Sequence, residues 1–170
     1  MPLLGLGGDE SGIIGALSAV GLIFENLRTA YRDGGNLEAR EKMALAATYA
    51  GMAFTRANVG YVHAIAHQFG GKYHTPHGLA NAIMLPHVLE FSLPAITSRL
   101  AQLAARAGLG AEGEADDVLA GKFVAGVIAL NRDLGIPTHL DALRAADIPA
   151  LARAARHEAE TGYPVPRYMT

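Results

Sequence analysis

Three features of this 170-residue sequence predict an all-α fold. Apolar residues recur at three- and four-residue steps in successive segments. No run alternates apolar and polar residues as a half-buried strand would. Gly, Asn and Pro fall where helical segments should begin and end. The length suits one domain with a sizeable core, and no internal repeat divides it. Residues 1–12 read as an irregular lead-in and residues 13–170 as a single helical domain. The early GLGG has no strand before it and reads as tail rather than as a phosphate loop.

The first helix spans Ile13 to Arg32, with Leu17, Val20, Phe24, Leu27 and Tyr31 on one stripe, and Asp33-Gly34-Gly35 stops it. Asn36 is placed to cap a second helix that carries Glu38 in its first turn. Met43, Ala46, Tyr49 and Ala50 form its inner face, and it ends near Phe54–Asn58. A third helix, Val59 to Phe69, is expected to stop at Gly70-Gly71. Thr75 and Pro76 then suit the cap and first position of a fourth. Pro86 should kink or divide this helix, which fades near Ser92. A separate amphipathic helix follows in LPAITSRLAQLAARAG. Glu114 to Leu134 reads as a long helix with Val118, Phe123, Val127 and Leu130 on its apolar stripe. Two short helices separated by turns at Gly135–Pro137 and Asp147–Pro149 come next, and the prolines of GYPVPRYMT extend the tail.

Composition narrows the function classes. Hydrophobic residues make up 51% and charged residues 18%, against about 25% charged in a typical domain. A disordered chain is thereby excluded, and some apolar surface is expected to need cover from a second copy or a partner chain. Net charge is −2 with no basic stripe, which argues against nucleic acid. The absence of cysteine rules out disulfides and thiolate metal sites and fits a cytoplasmic location. The uncharged stretch Ser11–Phe24 is shorter than the ~18 apolar residues of a membrane span. It also follows two acids rather than a basic region, so a core helix is expected instead of a signal or a membrane anchor.

Five of the seven histidines fall between His63 and His87. His63 and His67 stand four apart and share one helical face. His77 opens the next helix across a glycine-containing hairpin. The three can therefore meet at one point, where neutral imidazoles would suit a divalent first-row metal. The same pattern also fits ordinary surface or core histidines, and a catalytic metal usually wants three protein ligands and an open position. His74 is expected in a solvated loop and His87 in packing or a hydrogen bond. His139 and His157 are expected on the surface.

The stretch HAIAHQFGGKYHTPHGLANAIMLPHVLEF resembles the signature region of the iron-activated (group III) alcohol dehydrogenases. That family includes lactaldehyde reductases, propanediol dehydrogenases and butanol dehydrogenases. ENLRTAYRDGGNLEAREKMALAATYAGMAFTRANVGYVH is similar to the helices before the signature, and LGIPTHLDAL and YPVPRYM to the closing segment, so the resemblance covers about Ala16 to Met169. It implies the all-helical C-terminal domain of a two-domain enzyme. In that family a divalent metal, iron or zinc, is held by one aspartate and three histidines. It polarises the alcohol oxygen while hydride moves to or from NAD(P).

Carried over by position, the resemblance makes His63 and His77 metal ligands. It places His67 beside the metal and the nicotinamide as a proton relay, and Phe54 on the substrate pocket. The other two ligands come in the family from an upstream Asp-x-x-x-His helix. Here MPLLGLGGDESGII stands in that place, with Asp9 and Glu10 the only carboxylates nearby, and no nucleotide-binding half is present in the sequence. Two expectations follow. One is an NAD(P)-linked, metal-dependent dehydrogenase of small alcohols or aldehydes. The other is a non-catalytic helical domain that serves binding or oligomeric assembly.

Overall fold

The structure, a computed structural model, describes residues 10–169, and these fold as a helical assembly with no strand among them. Residues 1–9, with Asp9, lie outside the described residues, and residues 10–12, expected in the lead-in, belong to α1 (Glu10–Arg32), which begins ahead of the expected Ile13. It pairs along its length with α2 (Leu37–Ala57). The link between them is set by side chains: Asp33 Oδ1 accepts the Gly35 N–H at 2.9 Å, and Asn36 Oδ1 accepts the Ala39 N–H at 3.0 Å. The second bond caps α2 as the sequence indicates. On the expected inner face of α2, Ala46 is buried, while Met43, Tyr49 and Ala50 are half-buried.

The third helix differs from expectation. α3 (Tyr61–Tyr73) runs through Gly70-Gly71 and ends only at His74, which takes the left-handed conformation (φ 54°) and donates its N–H to the Gly70 carbonyl. A glycine costs a helix about 1 kcal/mol, and tertiary bonds beyond the pair offset it. Tyr73 OH donates to Asp147 Oδ2 at 2.7 Å, and Lys72 Nζ lies 3.4 Å from the same carboxylate. Thr75 is buried rather than capping, and Pro76 itself occupies the cap position of the next helix.

That helix, α4 (His77–Arg106), is continuous through Pro86, where a kink was expected. Proline leaves the carbonyl four residues earlier without its N–H partner. Here that carbonyl, on Ala82, accepts from Asn131 Nδ2 of the neighbouring helix at 2.7 Å. The break falls instead at Ile96 (φ −135°, ψ 22°), just past Pro94. The Phe91 carbonyl nearby accepts from Arg167 Nη1 at 2.7 Å, and the guanidinium sits over the Phe91 ring. The two helices expected on either side of Ser92 are thus one element with an internal bend.

α5 (Asp116–Asp133) packs along α4 with Phe123, Val127 and Leu130 buried, but Val118 points outward and is 47% exposed. Between Gly135 and Arg144 the chain is irregular where a short helix was expected, and a 3-10 turn (Ala145–Asp147) leads into α6 (Ile148–Gly162). The irregular stretch is held by its side chains: Leu140 and Leu143 pack on the cluster around Phe69. The tail folds back on α3, with the Met169 N–H donating to Tyr61 OH at 3.0 Å.

Three apolar clusters result. The largest joins α1, α2, α4 and α5 around Leu89, Leu100, Leu103 and Phe123. Two smaller ones join α3, α4 and α6 around Tyr61 and Val88 and around Phe69 and Ala80. By length and composition alone, Gly12–Arg32 and His77–Arg106 could each cross a membrane; α1 is longer than the uncharged stretch from which a core helix was read. Both are packed against other helices, α1 against α2, α4 and α5, and α4 against α1, α3 and α5.

Candidate metal centre

α3 and α4 meet at the His74–Pro76 hairpin, which brings three imidazoles together. The ring centroids of His63 and His77 are 5.3 Å apart, those of His67 and His77 5.4 Å, and those of His63 and His67 6.1 Å. A metal about 2.0–2.1 Å from an imidazole nitrogen lies roughly 3 Å from the ring centre, so two ligand rings on one ion sit about 4.5–6 Å apart. The pairs His63–His77 and His67–His77 both meet that spacing. The three rings lie side by side at the junction, none more than 6.1 Å from the next between centres.

Each imidazole has a different environment. His63 is half-buried, and its Nδ1 is buried without a hydrogen-bond partner. Burial, with the neighbouring His77 and His67 rings adding to it, lowers its pKa to about 4. The ring is therefore neutral near pH 7, the state a metal ligand requires. His77 is exposed at the start of α4. Its Nε2 lies 3.1 Å from Asn81 Nδ2, which also donates to the His77 carbonyl at 2.8 Å. For Nε2 to hold a metal, that amide must give way. Asn81 Oδ1 is buried and unpartnered, so the amide is only partly satisfied where it stands.

His67 faces α6. Its Nδ1 is 2.6 Å from Glu158 Oε1. The same carboxylate accepts from Gln68 Nε2 at 3.0 Å and from Tyr163 OH at 2.8 Å. No local pattern marks Glu158, because the contact joins residues 91 apart through the packing of α3 on α6. Asn81 was also passed over, although it lies one turn beyond His77 on the same helix.

The donors fit half of a metal site: two convergent imidazoles, one with an orphaned buried nitrogen. Among the described residues no group of three His, Asp or Glu side chains is disposed to hold an ion. Glu158 already lies within hydrogen-bond reach of His67, Gln68 and Tyr163, and the Asp9 and Glu10 carboxylates lie outside what is described. Phe54, expected on a substrate pocket, lies near the end of α2 with 46% of its surface exposed. His74 is exposed at the hairpin, as are His139 and His157 elsewhere. His87 is also exposed, with Nε2 at 3.5 Å from the Thr138 carbonyl, a distance at the limit of a hydrogen bond. A separate apolar cavity of about 320 Å³ lies among α1, α4 and α5, lined by Val20, Phe24, Leu85, Phe123 and Val127 among others, and no histidine borders it.

Fold and site together define a helical domain with a histidine cluster at a helix junction. Residues 14–170 match the Fe-containing alcohol dehydrogenase family, C-terminal, and the chain belongs to that family. It is 47% identical over 142 residues to the 1,3-propanediol dehydrogenase of Klebsiella pneumoniae, covering 82% of this chain and 37% of that protein. It is 43% identical over 130 residues to the lactaldehyde reductase of Escherichia coli K12, covering 75% of this chain and 34% of that protein. The fold superposes on a crystal structure of 1,3-propanediol oxidoreductase with a TM-score of 0.94 at 39% identity, over 99% of this chain and 44% of the other. An alcohol dehydrogenase from Oenococcus oeni gives 0.93 at 35% identity, with the same coverage. The chain thus spans little more than a third of the length of these curated relatives.

Proposed function

We propose that this chain is the metal-holding helical half of an NAD(P)-linked dehydrogenase of small alcohols or aldehydes, with His63 and His77 as ligands. The observation that carries the reading is the meeting of the His63 and His77 rings at 5.3 Å, with His63 Nδ1 buried and unpartnered. A divalent metal there, iron or zinc, would polarise the substrate oxygen as a Lewis acid. His63 is kept neutral for that task by burial. His67 stands one turn along the same face, where it can move a proton between the substrate hydroxyl and solvent. Phe54 offers apolar surface to the substrate carbon chain. The remaining ligands and the nucleotide site must come from outside the described residues, either in the same polypeptide or in a partner chain. A cytoplasmic location accords with the cysteine-free sequence.

The test is metal binding to the chelator-stripped chain, read by thermal unfolding with zinc or iron(II) added. A ligand at about 100 times its Kd stabilises the folded state by roughly 2.7 kcal/mol. The wild-type chain is expected to gain stability with metal, and H63A and H77A to lose most of that gain. Equal responses from all three would refute the assignment.

A second reading, a non-catalytic domain that assembles with copies of itself or with a partner, is favoured by apolar side chains left exposed on α1 and α2. These include Ile14 (59% exposed) and Met52 (68%). A monodisperse monomer with bound metal would argue against it.

A further inference from the structure

Glu158 reaches across from α6 to the histidine-bearing face of α3, where two of its three neighbours are donors. Gln68 Nε2 and Tyr163 OH can only give hydrogens to the carboxylate. The third neighbour, His67 Nδ1 at 2.6 Å, completes the set. An ionised carboxylate is acceptor-only, so the hydrogen in that short contact sits on Nδ1. Two more constraints fix the carboxylate itself. Gln68 follows His67 on α3, and Tyr163 follows the last residue of α6, so the helices on both sides anchor it.

We propose that Glu158 is a positioning residue: by taking the Nδ1 hydrogen of His67 it holds that imidazole in one tautomer and one orientation, leaving Nε2 of the neutral ring as a lone-pair nitrogen beside His63 and His77. The chemistry is that of a carboxylate behind a working imidazole, which selects the tautomer and restrains the ring. The near-parallel placement of the His67 and His77 rings, 18° between planes, is consistent with a ring held in place. Gln68 and Tyr163 serve the carboxylate rather than the histidine: they occupy Oε2 and share Oε1, so that Glu158 cannot turn away. The consequence for proton transfer by His67 rests on the dehydrogenase reading above; the hold on the ring does not.

The test is nitrogen-15 NMR of the metal-free 170-residue chain labelled at histidine, recorded near pH 8. Wild-type His67 is expected to show a protonated, pyrrole-type Nδ1 and a pyridine-type Nε2. E158A should lose this pattern and shift the hydrogen toward Nε2. E158Q, whose amide oxygen can still accept, should keep it, and Y163F should leave it in place. A wild-type His67 with its hydrogen on Nε2 would overturn the proposal without any variant having to fold, and so would an unchanged spectrum in folded E158A. Adding zinc separates the two ideas. Metal-induced shifts at His63 and His77, with His67 in the wrong tautomer, would sink the role of Glu158 and keep the metal site. The expected tautomer with no response to zinc would keep Glu158 and sink the metal site.

Discussion

Burial of a neutral His63 should make the metal-free protein lose stability as the pH falls through the range where an unfolded histidine titrates. In the folded chain the ring has a pKa of about 4, against an ordinary value of 6.5. Between these values the unfolded state binds more protons than the folded one, so stability rises with pH across that window and falls on acidification. At pH 5 the two pKa values differ in proton binding by about 2 kcal/mol relative to pH 8. The ring is only half-buried, and water screens part of the effect, which leaves about 1–2 kcal/mol. The assay is urea unfolding with chelator present, at pH 5 and pH 8, for wild type and H63Q. The difference between the two proteins isolates the histidine from the carboxylates that titrate over the same range. H63Q should be less sensitive to acid than wild type by about that amount. Equal pH dependence, or a wild type that gains stability at pH 5 relative to H63Q, would refute the burial argument.

Other substitutions test the packing that holds the site. Phe123 is 1% exposed and lies 5.8 Å from Phe24 between ring centres. F123A should therefore cost about 3–5 kcal/mol, or roughly 8–14 °C in Tm for a chain of this length. Because Phe123 borders the existing apolar cavity, added benzene should recover part of the loss. Two glycines of α5 should respond in opposite directions. A Cβ at Gly121 meets nothing within 4 Å, so G121A should stabilise by about 0.5–1 kcal/mol. A Cβ at Gly126 would overlap Leu109 Cδ1 and stand 3.3 Å from the Phe24 ring, so G126A should cost about 1–2 kcal/mol. Hydrogen bonds from Arg28 and Arg132 hold the Asp133 carboxyl below its ordinary pKa. That stability is present above the unfolded carboxylate pKa and lost on acidification, so R28A should flatten the acid limb of an unfolding-versus-pH curve.

What could be read in advance was local. The Asn36 cap and the four-residue spacing of His63 and His67 depend on neighbours along the chain and appear as the sequence indicates, and the helical periods hold except at stripe ends such as Tyr31 and Val118, which are exposed. The errors came where tertiary contacts overrode local preference. Gly70-Gly71 would end an isolated helix, but Tyr73 and Lys72 are anchored to Asp147 beyond it. Pro86 would bend an isolated helix, but Asn131 takes up the carbonyl that it strands. Glu158 was invisible for the same reason: a carboxylate behind a histidine is defined by a contact between helices, and nothing in a single line of residues marks it. Spacing along the chain places His63, His67 and His77 near one another but does not mark two of them as a pair.

The arrangement of the apolar clusters bears on how such a domain can change over generations. α4 is the spine shared by two groups of helices. One face supports α1 and α5, while α3 packs on the other and carries α6 in turn, with Leu85 touching clusters on both sides. The large cluster carries Phe123, Leu100 and Leu103, and the histidines contribute nothing to it. Substitutions at the histidine junction therefore leave the main folding core intact, and the side chains there can change while the chain still folds. A lineage can retain such a scaffold long after its reaction has changed, and descent alone is then a poor guide to present use. The side chains at the junction are the record to consult.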